Sequence, residues 1–229
     1  MILNINNRLK KVATFVKNRR LADIGSDHAY LPIYLAKEGK IDFAIAGEVV
    51  EGPYKSSIQN VKDNNLVDLI ECRKASGLDA ISLDDDIDVI TICGMGGKLI
   101  ADILESGKDK LANKPQLVLQ PNVAANLLRI KLRDLGYKIV AEDIIEEEGH
   151  IYEIIVAEYG QMIMTEDEVF FGKYLLEIKN KAFVTKYKQE LEKIKYIKNE
   201  LKKSRSESTY KLEELNKQEK MIRKVLEKY

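Results

Sequence analysis

The sequence is poor in the residues that build metal sites and disulfide frameworks. Of its 229 residues, only two are cysteines, Cys72 and Cys93, and two are histidines, His28 and His150. No C-x-x-C pair occurs and no His/Cys group has the spacing of zinc ligands, which argues against a metal site or a disulfide framework. Both cysteines lie in apolar, strand-like runs, so we expect them to be buried and reduced, as in an intracellular protein.

Long apolar runs are also missing. No run approaches the roughly 18 residues that a membrane span needs, and the basic segment 1–17 lacks the apolar centre and the cleavage motif of a secretory signal peptide. We therefore expect a cytoplasmic protein with no membrane partner. The apolar content of 45%, beside 32% charged residues, is still enough for a sizeable core.

An overall excess of charge of either sign is absent, but the charge is unevenly distributed. Lys+Arg and Asp+Glu number 37 each. Residues 1–20 carry six basic and no acidic side chains, residues 21–164 carry 14 basic and 25 acidic ones, and residues 165–229 carry 17 basic and 12 acidic ones. The neutral sum therefore does not argue against a nucleic-acid partner, because two basic segments flank an acidic centre. Solvated charged surfaces are the alternative interpretation of the basic segments.

Short apolar runs alternate with helical patterns through residues 1–164. The predicted strands are 21–25, 43–49, 69–75, 88–94, 116–120, 137–145 and 150–158, and the predicted helices are 3–17, 30–37, 53–64, 98–111 and 123–135. This alternation indicates βαβ units and a parallel sheet. The last two strands follow each other across an acidic turn and are expected to form an antiparallel hairpin. The sequence thus predicts an α/β fold with a doubly wound, Rossmann-like sheet.

The composition changes at residue 165. From there to the end no proline occurs and Gly172 is the only glycine. Apolar residues recur at helical spacings over 171–201 and, after a polar break at 202–209, more loosely up to 226. We predict a C-terminal helical hairpin, an antiparallel coiled coil, with packing against the first domain as the alternative. The predicted domains are residues 1–164 and 165–229.

The first predicted strand runs into the motif DIGSDHAYLP, residues 23–32. A glycine-containing turn from strand to helix is the usual cofactor site of a doubly wound sheet. A dinucleotide site would show G-x-G-x-x-G, but Gly25 is followed by Asp27 and Tyr30 at the positions of the second and third glycines. The carboxylates of Asp23 and Asp27 would repel a pyrophosphate and suit a cofactor with an ammonium group and a cationic sulfur, S-adenosylmethionine. An aspartate-rich capping turn is the structural alternative.

Other predicted strands end in candidate contacts at the same edge of the sheet. Glu48 lies 23 residues after Gly25, close to the roughly 20-residue offset of a ribose-binding carboxylate. The segment ASGL, residues 75–78, could border an adenine ring or form an ordinary turn. The segment CGMGG, residues 93–97, exposes backbone at this edge. Asn122 follows the fifth strand and is either a site residue or only a helix N-cap.

Four motifs together resemble one family, the bacterial tRNA (adenine(22)-N1)-methyltransferases: DIGSDHAYLP, CGMGG, LQPN (119–122) and EEEGHIYEI (146–154). The resemblance covers residues 5–160 by motif and the remainder by architecture. It implies a class I S-adenosylmethionine-dependent methyltransferase fold, followed by a coiled-coil hairpin, that methylates ring nitrogen 1 of an adenine at tRNA position 22. The implied cofactor contacts are Asp23, Gly25, Asp27, His28, Glu48, Ser76, Gly77, Leu78, Gly94, Met95 and Gly96. Ser76 departs from the acidic residue expected beside the adenine amino group.

The implied reaction needs positioning more than proton transfer. Ring nitrogen 1 of adenine has a free lone pair at neutral pH, so catalysis would depend on alignment and on stabilising the charge shift, after the base has left its stack. The predicted catalytic residues are Tyr30, which would stack on the base, Asn122, which would orient it, and Asp27, which would contact the base or the methionine part of the cofactor. A core position for Tyr30 and a capping role for His28 are the alternatives, and His150 is expected to be structural.

The basic N-terminal segment is expected to flank the pocket and to hold tRNA phosphates. Its predicted RNA-binding residues are Arg8, Lys10, Lys11, Arg19 and Arg20. The basic hairpin would be a second contact with tRNA or a dimerisation element, and a monomer is favoured. Two other functions stay open: a small-molecule methyltransferase of the same fold, which would not need a basic appendage, and a non-catalytic RNA- or protein-binding module. Calorimetry with S-adenosylmethionine separates the enzyme from the binding module.

Overall fold

A computed structural model describes residues 5–203 and 209–227. Its centre is a seven-stranded sheet with the order β3-β2-β1-β4-β5-β7-β6. The strands are β1 Arg20–Ile24, β2 Phe43–Glu48, β3 Ile70–Lys74, β4 Val89–Met95, β5 Gln116–Pro121, β6 Tyr137–Glu147 and β7 His150–Tyr159. The first five strands are parallel, and β7 runs antiparallel to both β5 and β6. The predicted doubly wound sheet and its closing hairpin are confirmed.

Helices cover both faces of the sheet. They are α1 Asn7–Phe15, α2 Tyr30–Lys37, α3 Glu51–Asp63, α4 Gly97–Ser106 and α5 Ala125–Asp134. Side chains of α1, α2 and α3 bury one face of the central strands, and those of α4 and α5 bury the other. Within the described residues, α1 begins later than predicted because the Asn6 side chain caps it, accepting a hydrogen bond of 2.8 Å from the Leu9 amide.

The C-terminal part contains more helices than the predicted hairpin. They are α6 Glu166–Phe171, α7 Lys173–Ile178, α8 Lys181–Lys203 and α9 Thr209–Leu226. The predicted first arm is therefore wrong as one continuous helix: it breaks at Gly172, where φ is +92°, and at Lys179, where φ is +38°. A Cβ at Gly172 would lie 2.6 Å from Nη2 of Arg129, so glycine allows the chain to approach that side chain. The predicted break at 202–209 lies mostly outside the described residues.

The C-terminal helices share a hydrophobic core with the sheet. Phe171, Leu175, Phe183 and Tyr187 are buried together with Ile144 of β6. Helices α8 and α9 also pack on each other, with Lys198 paired to Glu219. Packing against the first domain, the alternative to a free hairpin, is thus what the structure shows, while knobs-into-holes packing between α8 and α9 and the domain boundary at 164 stay predictions.

A fully buried arginine fixes the C-terminal helices to the sheet. Arg129 of α5 donates from Nε to Glu142 over 2.7 Å and from Nη2 to Glu153 over 2.5 Å, and its Nη1 lies 3.3 Å from the Val169 carbonyl of α6. Lys186 of α8 pairs with the same Glu153. Burial by itself would lower the pKa of Arg129, but the two carboxylates outweigh it and raise that pKa. The helix pattern of α5 gave no sign of this cluster.

Two other sequence-based expectations concern the cysteines and the membrane. Cys72 and Cys93 are free thiols that are half-buried, not fully buried as expected. Burial raises the pKa of the Cys72 thiol to about 11, so it stays protonated at neutral pH. Among the residues that the structure describes, no helix combines the length and the apolar character of a membrane span.

Candidate active site

A cavity of about 690 Å³ opens at the carboxyl ends of β1, β2 and β4. This is where the order of the parallel strands reverses, the usual ligand position in doubly wound sheets, and its volume lies in the range of small-molecule sites. The sequence-predicted residues that line it are Asp23, Gly25, Asp27, Tyr30, Glu48, Ser76, Gly77, Gly94, Met95 and Asn122. Strand ends that are far apart in the sequence thus converge as expected.

The turn after β1 forms the floor of the cavity. The amides of Gly25 and Ser26 both donate to the Gly47 carbonyl, at 2.9 and 3.0 Å. Gly25 has φ +68°, and a Cβ there would lie 2.1 Å from the terminal methyl of Met95. The left-handed φ favours glycine at this position, and an added Cβ would also push the flexible end of Met95 aside.

The chain then takes three consecutive residues through the left-handed region. The φ angles of Asp27, His28 and Ala29 are +31°, +65° and +57°. Each such residue costs about 1–2 kcal/mol when it is not glycine, and strained backbone of this kind collects at ligand sites. The Asn60 side chain supports the turn by donating to the His28 carbonyl over 2.9 Å. As a result Asp27 and Tyr30 both face the cavity, with the Asp27 side chain 68% exposed.

Two carboxylates in the cavity are held rigidly. Asp23 is buried and accepts hydrogen bonds from Ser26 Oγ at 2.6 Å and Thr91 Oγ1 at 2.5 Å, and burial raises its pKa. Glu48 accepts with Oε1 from the amides of Val49 and Val50, both at 2.8 Å. A fixed acceptor at the end of β2 suits the ribose hydroxyls of a nucleoside cofactor. The glycine floor and these carboxylates fit S-adenosylmethionine, with its ribose and cationic groups.

A hydrogen-bond network that the sequence analysis missed crosses the cavity. Arg8 of α1 enters the cavity, donates to the Gln120 side chain and lies 5.3 Å from the ring of Tyr152. Gln120 is fully buried; it also accepts from the Gly94 amide at 3.1 Å and donates to Asn122 Oδ1 at 3.0 Å. Asn122 in turn donates to the Gly94 carbonyl over 2.7 Å. The network fixes Gly94, near the end of β4, through both its amide and its carbonyl.

The position of Asn122 excludes its alternative role. Ala124 is the N-cap of α5, with left-handed φ, and its side chain makes no capping hydrogen bond. Asn122 instead ties β5 to the end of β4, since its own amide also donates to the Met95 carbonyl at 2.8 Å. The LQPN motif contains both Gln120 and Asn122, but only Asn122 was predicted to be a site residue.

Helix α1 is attached to the β6–β7 hairpin. The Glu147 carboxylate accepts from the amides of Asn7 at 2.6 Å and Arg8 at 3.2 Å, where it complements the helix N-terminus. Lys11 pairs with Asp143 at 2.6 Å. These contacts aim the Arg8 side chain at the cavity and direct Lys11 to the hairpin instead.

Three predicted cofactor contacts do not line the cavity. The ring of His28 stacks on Tyr30, with centroids 5.2 Å apart. Leu78 is buried in the core under α4, where it packs too closely against Gly107 for a Cβ there. Gly96 is the N-cap of α4. A cofactor contact for these three residues stays a prediction.

Two predicted RNA-binding residues are at the wrong edge of the sheet to flank the pocket. Arg19 and Arg20 lie where β1 begins, opposite the cavity at the end of the strand. Arg19 donates from Nε to Asp42 over 2.5 Å, and Arg20 donates to the Asp85 carbonyl over 2.9 Å. Lys10 lies on α1, and a role for it in RNA binding stays a prediction.

Comparisons with known proteins agree with the site. A family model described as tRNA (adenine(22)-N(1))-methyltransferase matches residues 21–227. A Bacillus subtilis protein of that name is 38% identical over 234 residues, which cover 98% of each chain. A Streptococcus agalactiae structure of the NADB-Rossmann superfamily has a TM-score of 0.93 and 46% identity over 99% of both chains. A Streptococcus pneumoniae structure in complex with S-adenosyl-L-methionine has a TM-score of 0.89 and 46% identity over 97% of this chain and 100% of its own. The chain belongs to the tRNA (adenine(22)-N(1))-methyltransferase family.

Proposed function

We propose that this protein transfers a methyl group from S-adenosyl-L-methionine to ring nitrogen 1 of the adenine at position 22 of tRNA. The observation that carries the proposal is the glycine-floored cavity with its fixed carboxylates, in a chain that belongs to this family. The name of the Bacillus subtilis relative states the same reaction and position, and the Streptococcus pneumoniae relative binds the methyl donor.

The residues of the cavity supply complementary groups for each part of the methyl donor. The bound donor supplies an electrophilic methyl group on a cationic sulfur. Glu48 would accept hydrogen bonds from its ribose hydroxyls, because backbone amides hold that carboxylate in place. Asp23 and Asp27 would offset its positive charges, and Arg8 would pair with its carboxylate. Gly25, which has no Cβ, lets the Met95 side chain lie against the floor.

The acceptor base needs orientation and no proton removal, since ring nitrogen 1 is a free nucleophile at neutral pH. Tyr30 lines the cavity, and the residue is 38% exposed, so its ring would stack on the extracted base. An amide has two N–H donors and two acceptor lone pairs. Asn122 uses one of each in the hydrogen bonds to Gly94 and Gln120, so its remaining lone pair would accept from the exocyclic amino group of the adenine.

The reaction is tested with purified protein, S-adenosyl-L-methionine and an unmodified tRNA transcript that carries adenine at position 22. Mass spectrometry of the digested product is expected to find 1-methyladenosine at that position. The matched control is the same transcript with guanine at position 22, which is expected to stay unmethylated. Methylation at another nucleotide, or no tRNA methylation by protein that binds the methyl donor, would overturn the proposal.

The role of Tyr30 is tested separately from the overall reaction. Tyr30→Ala is expected to lower kcat by about tenfold or more, because stacking on a base contributes roughly 1–3 kcal/mol. Tyr30→Phe keeps the ring and is expected to retain most of kcat. Equal losses in both variants would show that the hydroxyl, and not the stacking surface, is what matters.

We also propose that the protein acts in the cytoplasm as a monomer. A tRNA substrate fits that compartment. Support for a monomer comes from the packing of α8, because Ile194 is buried together with Leu215 and Ile222 of α9 in the same chain. Light scattering during size exclusion is expected to give the mass of one chain, and twice that mass would contradict this.

A further inference from the structure

A second cavity of about 390 Å³ lies beside the first. Its walls are the loop from β5 to α5, the turn between β6 and β7, and one face of α8. Asn122 lines both cavities, and on β7 Tyr152 lines the first while His150 and Ile151 line the second. The two cavities therefore meet at the residue proposed to orient the target base.

The α8 wall of this cavity belongs to a basic helix. Residues 181–203 contain eight lysines and three glutamates. Lys186, Gln189 and Lys193 are spaced by three and four residues, so they share the face toward the cavity. Lys186 forms an ion pair with Glu153. The Lys193 side chain is 65% exposed, and its Nζ is 3.6 Å from Glu190, a loose surface pair of little strength.

The acidic residue deepest in this cavity does not oppose an anion. Glu153 is paired with both Arg129 and Lys186. Burial would raise the pKa of Glu153, but these two cations outweigh it and lower that pKa. The buried cluster, which includes Glu142, carries two positive and two negative charges and therefore does not repel a phosphate. Glu190 also lines the cavity, but it is only loosely paired with Lys193, so Lys193 can exchange this partner for a phosphate.

We propose that this second cavity binds the backbone of a nucleotide that flanks the target adenine, with Lys193 on a phosphate and the polar side chains of Asn126 and Gln189 beside it. The inference rests on the proposed function. When a base is flipped into the first cavity, the backbone of the neighbouring nucleotide moves with it. The second cavity adjoins the first at Asn122, and its α8 wall presents the exposed Lys193. Phosphate contacts of this kind set register and affinity and carry no sequence information.

The test compares Lys193→Ala with Lys195→Ala. Both lysines are on α8, with side chains 65% and 72% exposed, and both have a loose pair three residues back, at 3.6 and 3.9 Å. Of these two lysines, Lys193 lines the cavity and Lys195 does not. The affinity for tRNA is measured by fluorescence anisotropy between about 50 and 200 mM KCl. One lost phosphate contact predicts binding about 5–10-fold weaker at 0.1 M salt and a salt slope smaller by about one for Lys193→Ala.

Lys195→Ala is expected to stay within about twofold of the wild type, since a distant surface charge contributes little, and Lys193→Arg is expected to retain affinity. Binding of S-adenosylhomocysteine should be equal in all variants. Unchanged affinity and slope in Lys193→Ala, or equal losses in the two alanine variants, would overturn the site. If the wild type methylates tRNA, either of these results rejects only the phosphate site in the second cavity. If the wild type does not methylate tRNA, the proposed function itself is rejected.

Discussion

Replacing the buried Arg129 with methionine is expected to destabilise the protein by about 3–5 kcal/mol, the cost of removing one partner of a buried ion pair. A cost in the upper part of this range is expected because two carboxylates lose the same cation. The guanidinium of Arg129 lies 2.7 Å from Glu142 and 2.5 Å from Glu153. Urea denaturation followed by circular dichroism measures the free energy of unfolding. The matched control is Arg133→Ala on the same helix, where a 43% exposed side chain pairs with the neighbouring Asp134, and its expected cost is about 0–1 kcal/mol.

The pH dependence makes this prediction sharper. In the wild type the pKa of Glu153 is lowered, so its contribution to stability is present above the unfolded value of about 4.3 and is lost as the pH falls through the folded value. Burial already raises the pKa of Glu142, and without Arg129 it rises further. In the variant, the folded state therefore holds the proton of Glu142 more tightly than the unfolded state does. This stabilises the fold below the unfolded pKa of Glu142, and the stabilisation is lost as the pH rises. The deficit of Arg129→Met should therefore be larger at pH 8 than at pH 5; a deficit under about 1 kcal/mol, or one independent of pH, would refute the reasoning.

Three further predictions concern the cavity and use calorimetry with S-adenosylhomocysteine. Gly25→Ala should weaken binding several-fold because the added Cβ pushes the Met95 side chain aside in the cavity. Gly39→Ala, with a similar φ of +65° against +68° but nothing within 4 Å of the added Cβ, should bind normally at a similar cost in stability of about 1–2 kcal/mol. Asp27→Ala should weaken binding several-fold, and an unchanged affinity would remove its carboxylate from the site. Arg8→Ala should also weaken binding, whereas Arg19→Ala, at the far edge of the sheet, should not; similar effects of the two would contradict the placement of Arg8.

Much of the fold could be predicted because its signals are local. Apolar runs with glycine and proline between them gave every strand to within about two residues, and α2 was predicted at its observed bounds, Tyr30–Lys37. The C-terminal break at Gly172 escaped because the apolar spacing continues across it and its cause is a tertiary contact. Arg129 escaped for the same reason: on an amphipathic helix it looks like a solvated residue, and its partners are 13 and 24 residues away.

The candidate site was predictable where it follows from topology. Asp23, Glu48 and Gly94 end parallel strands, and such ends meet at one edge. The same rule could have corrected another prediction, because Arg19 precedes β1 and so must lie at the opposite edge. The place of Arg8 in the cavity could not be predicted in this way. The sequence shows a basic helix, but it does not show which of its side chains turns toward the sheet.

The attachment of α1 to the end of β6 has a consequence for the order of folding. Arg8 reaches the cavity because Glu147, 139 residues later in the chain, holds the start of the helix. During synthesis the N-terminal segment emerges first, and its apolar side chains can pack on α2 and the central strands. The contacts that hold the start of the helix need the hairpin that carries Glu147. Contacts between such distant residues form late because a long loop must close first. A nascent chain that ends before the hairpin can form β1 to β5 but lacks one wall of its pocket, so the ability to bind a ligand there arises only after nearly the whole sheet has been made.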